Sequence, residues 1–294
     1  MSSGIVALLI SSLLYGLLGV FSRLIGLEFG IFYQSWTRNL IIAFFILPLL
    51  LIFSWKRIKK NDFKWFLIRS LGDLVTMTCI FIAFNKIQIG ISYFLFYAGS
   101  IIGGYVIGYL FFKERISKQK FLSLIVGLIG LLMIYTLSFD QKLAPFYLLA
   151  NIAGFSSAVW NVFSKKVSSS YSVSQIVFID SILTAFMAFS LSLLFGERFF
   201  PPGLSSPWIA NILFAVNSLL TSYLVVYGFR YIEANYGSII LLLEVFFGIL
   251  FSYLLFREIP NFSASIGGVL ILFAIIVPKI GFFNLDKKNR SGKY

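Results

Sequence analysis

Ten apolar segments run along this chain, at 4–27, 31–53, 65–85, 91–112, 120–138, 145–164, 174–195, 207–229, 237–256 and 263–283. Each is close to what a bilayer demands, roughly 20 residues at about 1.5 Å of helical rise. With 59% of residues hydrophobic, 12% charged and a mean hydropathy of +0.94, the 294-residue chain carries more apolar surface than a soluble domain can hide. In hydrocarbon every backbone amide must find its partner within the protein, which leaves helices or a closed barrel. A barrel would show short alternating segments, and none occur. The fold class is therefore all-α integral membrane, with ten transmembrane helices.

The charges set an orientation. The formal net charge is +13, yet the Lys and Arg are not gathered as a nucleic-acid surface would gather them. Taking a cytoplasmic N-terminus, seventeen of the 24 basic residues fall in inner loops and the tail and five in outer loops, with Arg38 and Arg69 inside spans. This positive-inside bias puts both termini in the cytoplasm, as for a prokaryotic-type inner-membrane protein. The short basic tail Asp286–Arg290 would lie near anionic head groups. Met1–Gly4 carries no basic residue and no cleavage pattern follows, so the first segment reads as a span, not a signal peptide. The lone cysteine, Cys79, and the absence of histidine argue against an internal disulfide, a metal constellation and an imidazole proton relay.

The chain also repeats itself. Tyr109-Leu110-Phe111-Phe112-Lys113-Glu114 recurs 144 positions later as Tyr253-Leu254-Leu255-Phe256-Arg257-Glu258, and Lys86 recurs as Arg230. Val20-Phe21-Ser22-Arg23 reappears as Val162-Phe163-Ser164-Lys165 at an offset of 142. A duplicated unit in an apolar chain is the sequence mark of a transporter built from two repeats. Five spans per unit is an odd number, so the second unit enters the membrane from the opposite side. The expected organisation is two inverted five-helix repeats, residues 1–138 and 139–294, with the boundary in the polar stretch Ser138–Pro145. The loop Glu197–Pro207, with its prolines, is the expected place for irregular backbone.

Each repeat ends in an apolar run, then Phe-[Lys/Arg]-Glu, then a further apolar helix; each begins with a span closing on Ser-[Arg/Lys]. Arg38 lies inside the second span and Leu243-Glu244-Val245 in the ninth. In these respects the whole chain resembles the EamA-type branch of the drug/metabolite transporter superfamily. That resemblance implies ten spans in two inverted repeats moving small metabolites, often outward, with spans 1, 3, 4, 6, 8 and 9 around a central path and spans 5 and 10 as supports. Members often carry proline after the ninth-span glutamate; here Val245 follows Glu244.

Among candidate site residues Glu244 stands first, because an ionisable group within a span is costly and implies a cavity or a partner. Glu244, Gly248 and Ser252 form one helical face, and at the 144 offset Ser100, Gly104 and Gly108 form its counterpart, so the two faces are expected to meet. Glu244 reads either as a proton- or cation-binding carboxylate or as a protonated packing residue. Arg38 either binds a substrate carboxylate or anchors helix ends. Asp180, its equivalent at the 142 offset, leans structural and is expected near Lys165 or Lys166. Asp73 follows Arg69 by one helical turn, which predicts a local ion pair. It also matches Asn217, which leaves a pathway role open. Tyr93, Tyr97 and Trp160 suit a flat, partly apolar ligand or ordinary packing, whereas Trp55, Trp65 and Trp208 read as interfacial. Glu114 and Glu258 read as structural.

No nucleotide-binding loop, nucleophile–base pair or cofactor motif is present in the sequence. The expectation is a secondary-active or facilitative transporter working by alternating access, its partners a small-molecule substrate, membrane lipids and protons as the coupling ion. Few buried basic residues argue against phosphorylated substrates, which leaves amino acids or amines. A flippase for lipid-linked intermediates and an integral-membrane enzyme acting on lipid head groups are the alternatives.

Overall fold

The computed structural model describes residues 3–25, 28–52, 55–87, 89–135, 140–257, 259 and 262–290, and among these there is no β-strand. The helices are α1 (Ser3–Tyr15), α2 (Leu18–Ile25), α3 (Ile31–Ile52), α4 (Lys60–Lys86), α5 (Ile89–Phe112), α6 (Lys118–Ile134) and α7 (Ala144–Val162). They continue with α8 (Ser164–Ser168), α9 (Val173–Leu194), α10 (Ser206–Tyr231), α11 (Ala234–Leu241), α12 (Leu243–Phe256) and α13 (Phe262–Arg290), and a 3-10 turn over Gln141–Leu143 leads into α7. Among the described residues, seven helices are long and apolar enough to cross a membrane, counting α1 with the start of α2 and α11 with α12 as single spans. The protein is thus an all-helical, multi-pass membrane protein.

Local chemistry sets the helix ends. Ser117 and Ser172 cap α6 and α9 by accepting from the amides of Lys120 and Gln175. Proline opens α7 and α10, where a missing N–H costs nothing. The loop after α9 is irregular as its prolines predict, and Gly196 adopts a φ of +65°. Glu197 then accepts from the amides of Phe32 (3.0 Å) and Tyr33 (2.6 Å), tying this loop to the start of α3. Among the described residues the non-glycines with positive φ are Lys113 (54°) and Arg257 (57°), the basic residues of the duplicated Phe-[Lys/Arg]-Glu motif. At the first, the Glu114 amide reaches back to the Gly108 carbonyl at 3.0 Å, the long bond that closes a helix end.

Three spans expected as continuous are interrupted: at Gly16–Leu17, at Phe163 and at Leu242. At two of these breaks a distant side chain donates to a carbonyl of the interrupted helix. Ser12 donates to the Ile240 carbonyl at 3.0 Å, and Asn217 donates to the Leu14 carbonyl at 3.1 Å. Glu114 serves the other end of α11, accepting from the amides of Ala234 (2.7 Å) and Asn235 (3.2 Å) and from Lys165 Nζ (2.6 Å). Glu258, its counterpart in the repeat, lies outside the described residues.

The bundle packs α3 along α9, α6 along α13, α4 and α5 along α7, and α1 along α10. Small residues allow the approach: a Cβ on Gly154 of α7 would sit 1.9 Å from the Phe96 carbonyl oxygen of α5, and one on Gly267 would sit 2.4 Å from the Gly130 carbonyl oxygen. Between α4 and α9, Arg69 is 1% exposed and fully engaged: Nη2 reaches Asp180 Oδ2 at 2.5 Å, Nε reaches the same oxygen at 3.0 Å, and Nη1 reaches the Trp160 carbonyl at 2.7 Å. Here the sequence reading is corrected twice. Arg69 pairs with Asp180 and not with its helical neighbour Asp73, because the carboxylate on α9 presents itself side-on to the guanidinium fork. Lys165, in turn, pairs with Glu114 and not with Asp180. A third correction concerns Trp208, which is buried against Phe29 and Tyr33.

Two outcomes are expected. Gly154→Ala forces α5 and α7 apart and costs about 1–3 kcal/mol, read as a lower melting temperature in detergent, whereas Gly19→Ala, whose Cβ meets nothing within 4 Å, leaves it unchanged. Asp180→Ala strands a buried guanidinium and costs about 3–5 kcal/mol, while the double change Arg69→Met with Asp180→Leu recovers most of that loss in the same melting assay.

Candidate functional site

A cavity of about 440 Å³ adjoins Glu244. Its walls come from the α1–α2 break (Tyr15, Gly16, Leu18, Gly19), from α4 (Thr76, Met77, Ile80, Phe81), from α5 (Tyr93, Phe96, Tyr97) and from α12 (Glu244, Val245, Gly248, Ile249). Ile134 and Tyr135 at the end of α6, Ala264 at the start of α13 and Phe214 of α10 complete it, with the exposed Ile259 at its lip. The helix break makes this possible. Gly16 has no room for a side chain, since a Cβ would meet Phe247 at 2.6 Å, so the turn of chain at the break packs directly on α12.

The lining is aromatic around one charge. Tyr93 stacks on Tyr97 at 5.9 Å and on Tyr135 at 6.4 Å, and Phe96 meets Tyr97 edge-on at 5.1 Å. The Tyr97 side chain lies beside the Glu244 carboxylate, with Tyr15 and Tyr135 in the same wall. Among the described residues no Lys or Arg lines the cavity. A carboxylate among aromatic side chains, with no basic residue in the lining, suits a cation and repels an anion.

Glu244, Phe96 and Tyr97 also wall a second, much smaller space of about 20 Å³, which lies among α5, α7, α11 and α12. Ser100, Ser157, Asn161 and Ser238 supply its polar surface. Of the two faces expected to meet, only Ser100 and Glu244 share this space: Gly104 and Gly108 pack against Ser238 and Ala234 of α11, Gly248 turns toward the Gly16 carbonyl, and the Ser252 side chain lies outside the description.

The remaining candidates lie elsewhere. Arg38 is 4% exposed, with its guanidinium carbon 4.3 Å from the centre of the Phe214 ring and its Nη1 without a hydrogen-bond partner, so it sits behind an aromatic wall of the cavity. Asp73 is buried beside Arg38 and Thr184. Asn217 serves the α1 break, and Asp180 and Trp160 belong to the Arg69 cluster. None of Arg38, Asp73, Asn217, Asp180 or Trp160 lines either space. Conversely, sequence reasoning passed over Thr76, Phe96, Tyr135 and Phe214, and over Ser157, Asn161 and Ser238. The offset of 142 offered one signal for them, since it sets Ser157 against Tyr15 and Asn161 against Gly19.

Comparison with known proteins places the chain by sequence and by fold. A curated "Uncharacterized transporter" of Archaeoglobus fulgidus is 24% identical over 279 residues, covering 94% of this chain and 96% of the relative. An "Uncharacterized transporter" of Methanothermobacter thermautotrophicus is 22% identical over 227 residues, 75% of this chain and 66% of the relative. A solved crystal structure superposes with a TM-score of 0.82 at 17% identity, covering 97% of this chain and 99% of the other, which is a likeness of fold. The family and the names of the relatives point to a transporter rather than an enzyme. Matches over residues 2–136 and again over 144–278 make this chain a member of the EamA-like transporter family.

Proposed function

We propose that the protein carries small amine-bearing metabolites across the membrane by alternating access, with Glu244 as the group that holds the cationic nitrogen. The observation that carries this reading is the place of Glu244 in the wall shared by the large cavity and the small one. A carrier needs a binding group that can face either compartment in turn, and a residue at such a partition needs little movement to do so. The aromatic lining adds a second requirement, a flat or apolar body beside the charge. Neutral and zwitterionic compounds can enter, but the lack of a cationic partner in the lining favours amines over amino acids.

Two inverted five-helix halves, each spanning the membrane five times, would supply the moving parts. The family matches twice, at nearly the spacing of the sequence repeat. The packing of α3 on α9 and of α6 on α13 sets like against like, and α4 on α7 answers α1 on α10. The left-handed Lys113 and Arg257 also stand 144 residues apart. These regularities support inversion and a rocking of one half against the other, with α6 and α13 as outer supports whose ends reach the cavity mouth.

The test is binding and counterflow with phenethylamine, phenylalanine and phenylacetate as a series of equal ring and different charge. The expected order is amine first and phenylacetate last. Glu244→Gln removes a charge-assisted contact and weakens phenethylamine binding roughly 10- to 100-fold; equal uptake of all three compounds, or an unchanged Gln variant, overturns the reading. Tyr97→Phe, which deletes only the hydroxyl beside the carboxylate, is expected to weaken the same binding by about 2- to 10-fold, checked by the same titration.

A further inference from the structure

The small space beside Glu244 is the wrong size for a metabolite and the right chemistry for an ion. At about 20 Å³ it holds one particle of water's dimensions, since about 10–15 Å³ suffices for that. The polar residues that line it all carry oxygen: Ser100, Ser157 and Ser238 as hydroxyls, Asn161 as an amide and Glu244 as a carboxylate. Asn161 is 5% exposed; its Nδ2 donates weakly to Ser157 Oγ at 3.4 Å, while its Oδ1 is buried with no partner at all. A buried carbonyl oxygen left unpaired beside a polar void calls for a ligand in that void.

Leu242, the single residue between α11 and α12, also lines this pocket, so side chains of two adjoining helices meet there. Ser238 is fixed by Gly104, where a Cβ would come within 1.9 Å of the Ser238 Oγ. The site is therefore shaped by the fold, with contributions from four helices.

We infer that this pocket binds one dehydrated monovalent cation of the size of sodium. Hard cations take oxygen ligands, and neutral oxygens with a single carboxylate balance a single positive charge. A divalent ion would want more carboxylates, and among the described residues no cluster of three His, Cys, Asp or Glu exists. The inference rests on the transport reading for its consequence: Glu244 faces both spaces, so sodium in one and an amine in the other compete for the same negative charge. Exchange of one for the other follows.

The ion site is tested without transport. The melting temperature of the purified full-length protein in detergent is measured in sodium, potassium and caesium chlorides at equal ionic strength, each with and without phenethylamine. A saturable rise specific to sodium is expected, lost in Asn161→Ala and in Ser238→Ala, with the phenethylamine-induced rise kept in both variants as proof of folding. Sodium is further expected to raise the phenethylamine concentration needed for half the effect. Equal melting in the three salts, which is the outcome for a pocket holding water alone, overturns the inference. So does a sodium rise that survives in whichever of the two variants folds. Should sodium stabilise in this manner while phenethylamine neither stabilises nor exchanges, the ion site stands and the amine reading falls; the reverse result removes the ion and leaves the carrier.

Discussion

Backbone polar groups inside an apolar bundle have no water to turn to, and this structure is organised around the few places where that rule is strained. Interrupted helices expose amides and carbonyls at depth, and two of the three breaks receive a side chain from another helix. Ser12 of α1 serves the Ile240 carbonyl near the α11–α12 break, while Asn217 of α10 serves the Leu14 carbonyl at the α1–α2 break. Glu114 caps the start of α11 and is itself balanced by Lys165. The interruptions thus hold one another in place. They also allow the chain at Gly16 and at Leu242 to line spaces that continuous helices would have filled.

Much of this was legible in the chain and some was not. The apolar segments define the spans because lipid permits little else, and the Phe-[Lys/Arg]-Glu motif marks the helix ends because it recurs. The breaks are another matter. Gly16 and Gly19 flank Leu17 and weaken the helix there, but nothing local announces a turn at Leu242; the side chains that serve the two breaks, Asn217 and Ser12, lie 203 and 228 positions from the carbonyls they meet. Periodicity sees neighbours on one helix and is blind to such donors. The same blindness explains Arg69, for which Asp73 is the nearer residue in sequence and Asp180, 111 positions away, the better partner in space.

The site residues divide along the same line. Glu244, Tyr93, Tyr97 and Ser100 stood out because charge and aromatic hydroxyls are conspicuous within spans. Ser157, Asn161 and Ser238 did not, since small polar residues in a membrane helix more often serve packing. Only their convergence on one void separates them from the many serines that bond back to their own helix, as Ser70 does to the Phe66 carbonyl. Arg38 shows the opposite error. Its charge drew attention, yet it faces the Phe214 ring from behind the cavity wall.

Divergence between the two copies explains why the site carries one charge. At the 144 offset the counterpart of Glu244 is Ser100, and the two line the same small pocket. Had both copies kept a carboxylate, two like charges would share a space of about 20 Å³, and each would push the other toward its protonated form. Such a pair would hold a proton or a divalent ion in preference to a single monovalent cation. A hydroxyl in one copy removes that conflict while still offering an oxygen. One carboxylate then decides the charge of the whole partition, and any cation that claims it on one side excludes a cation on the other.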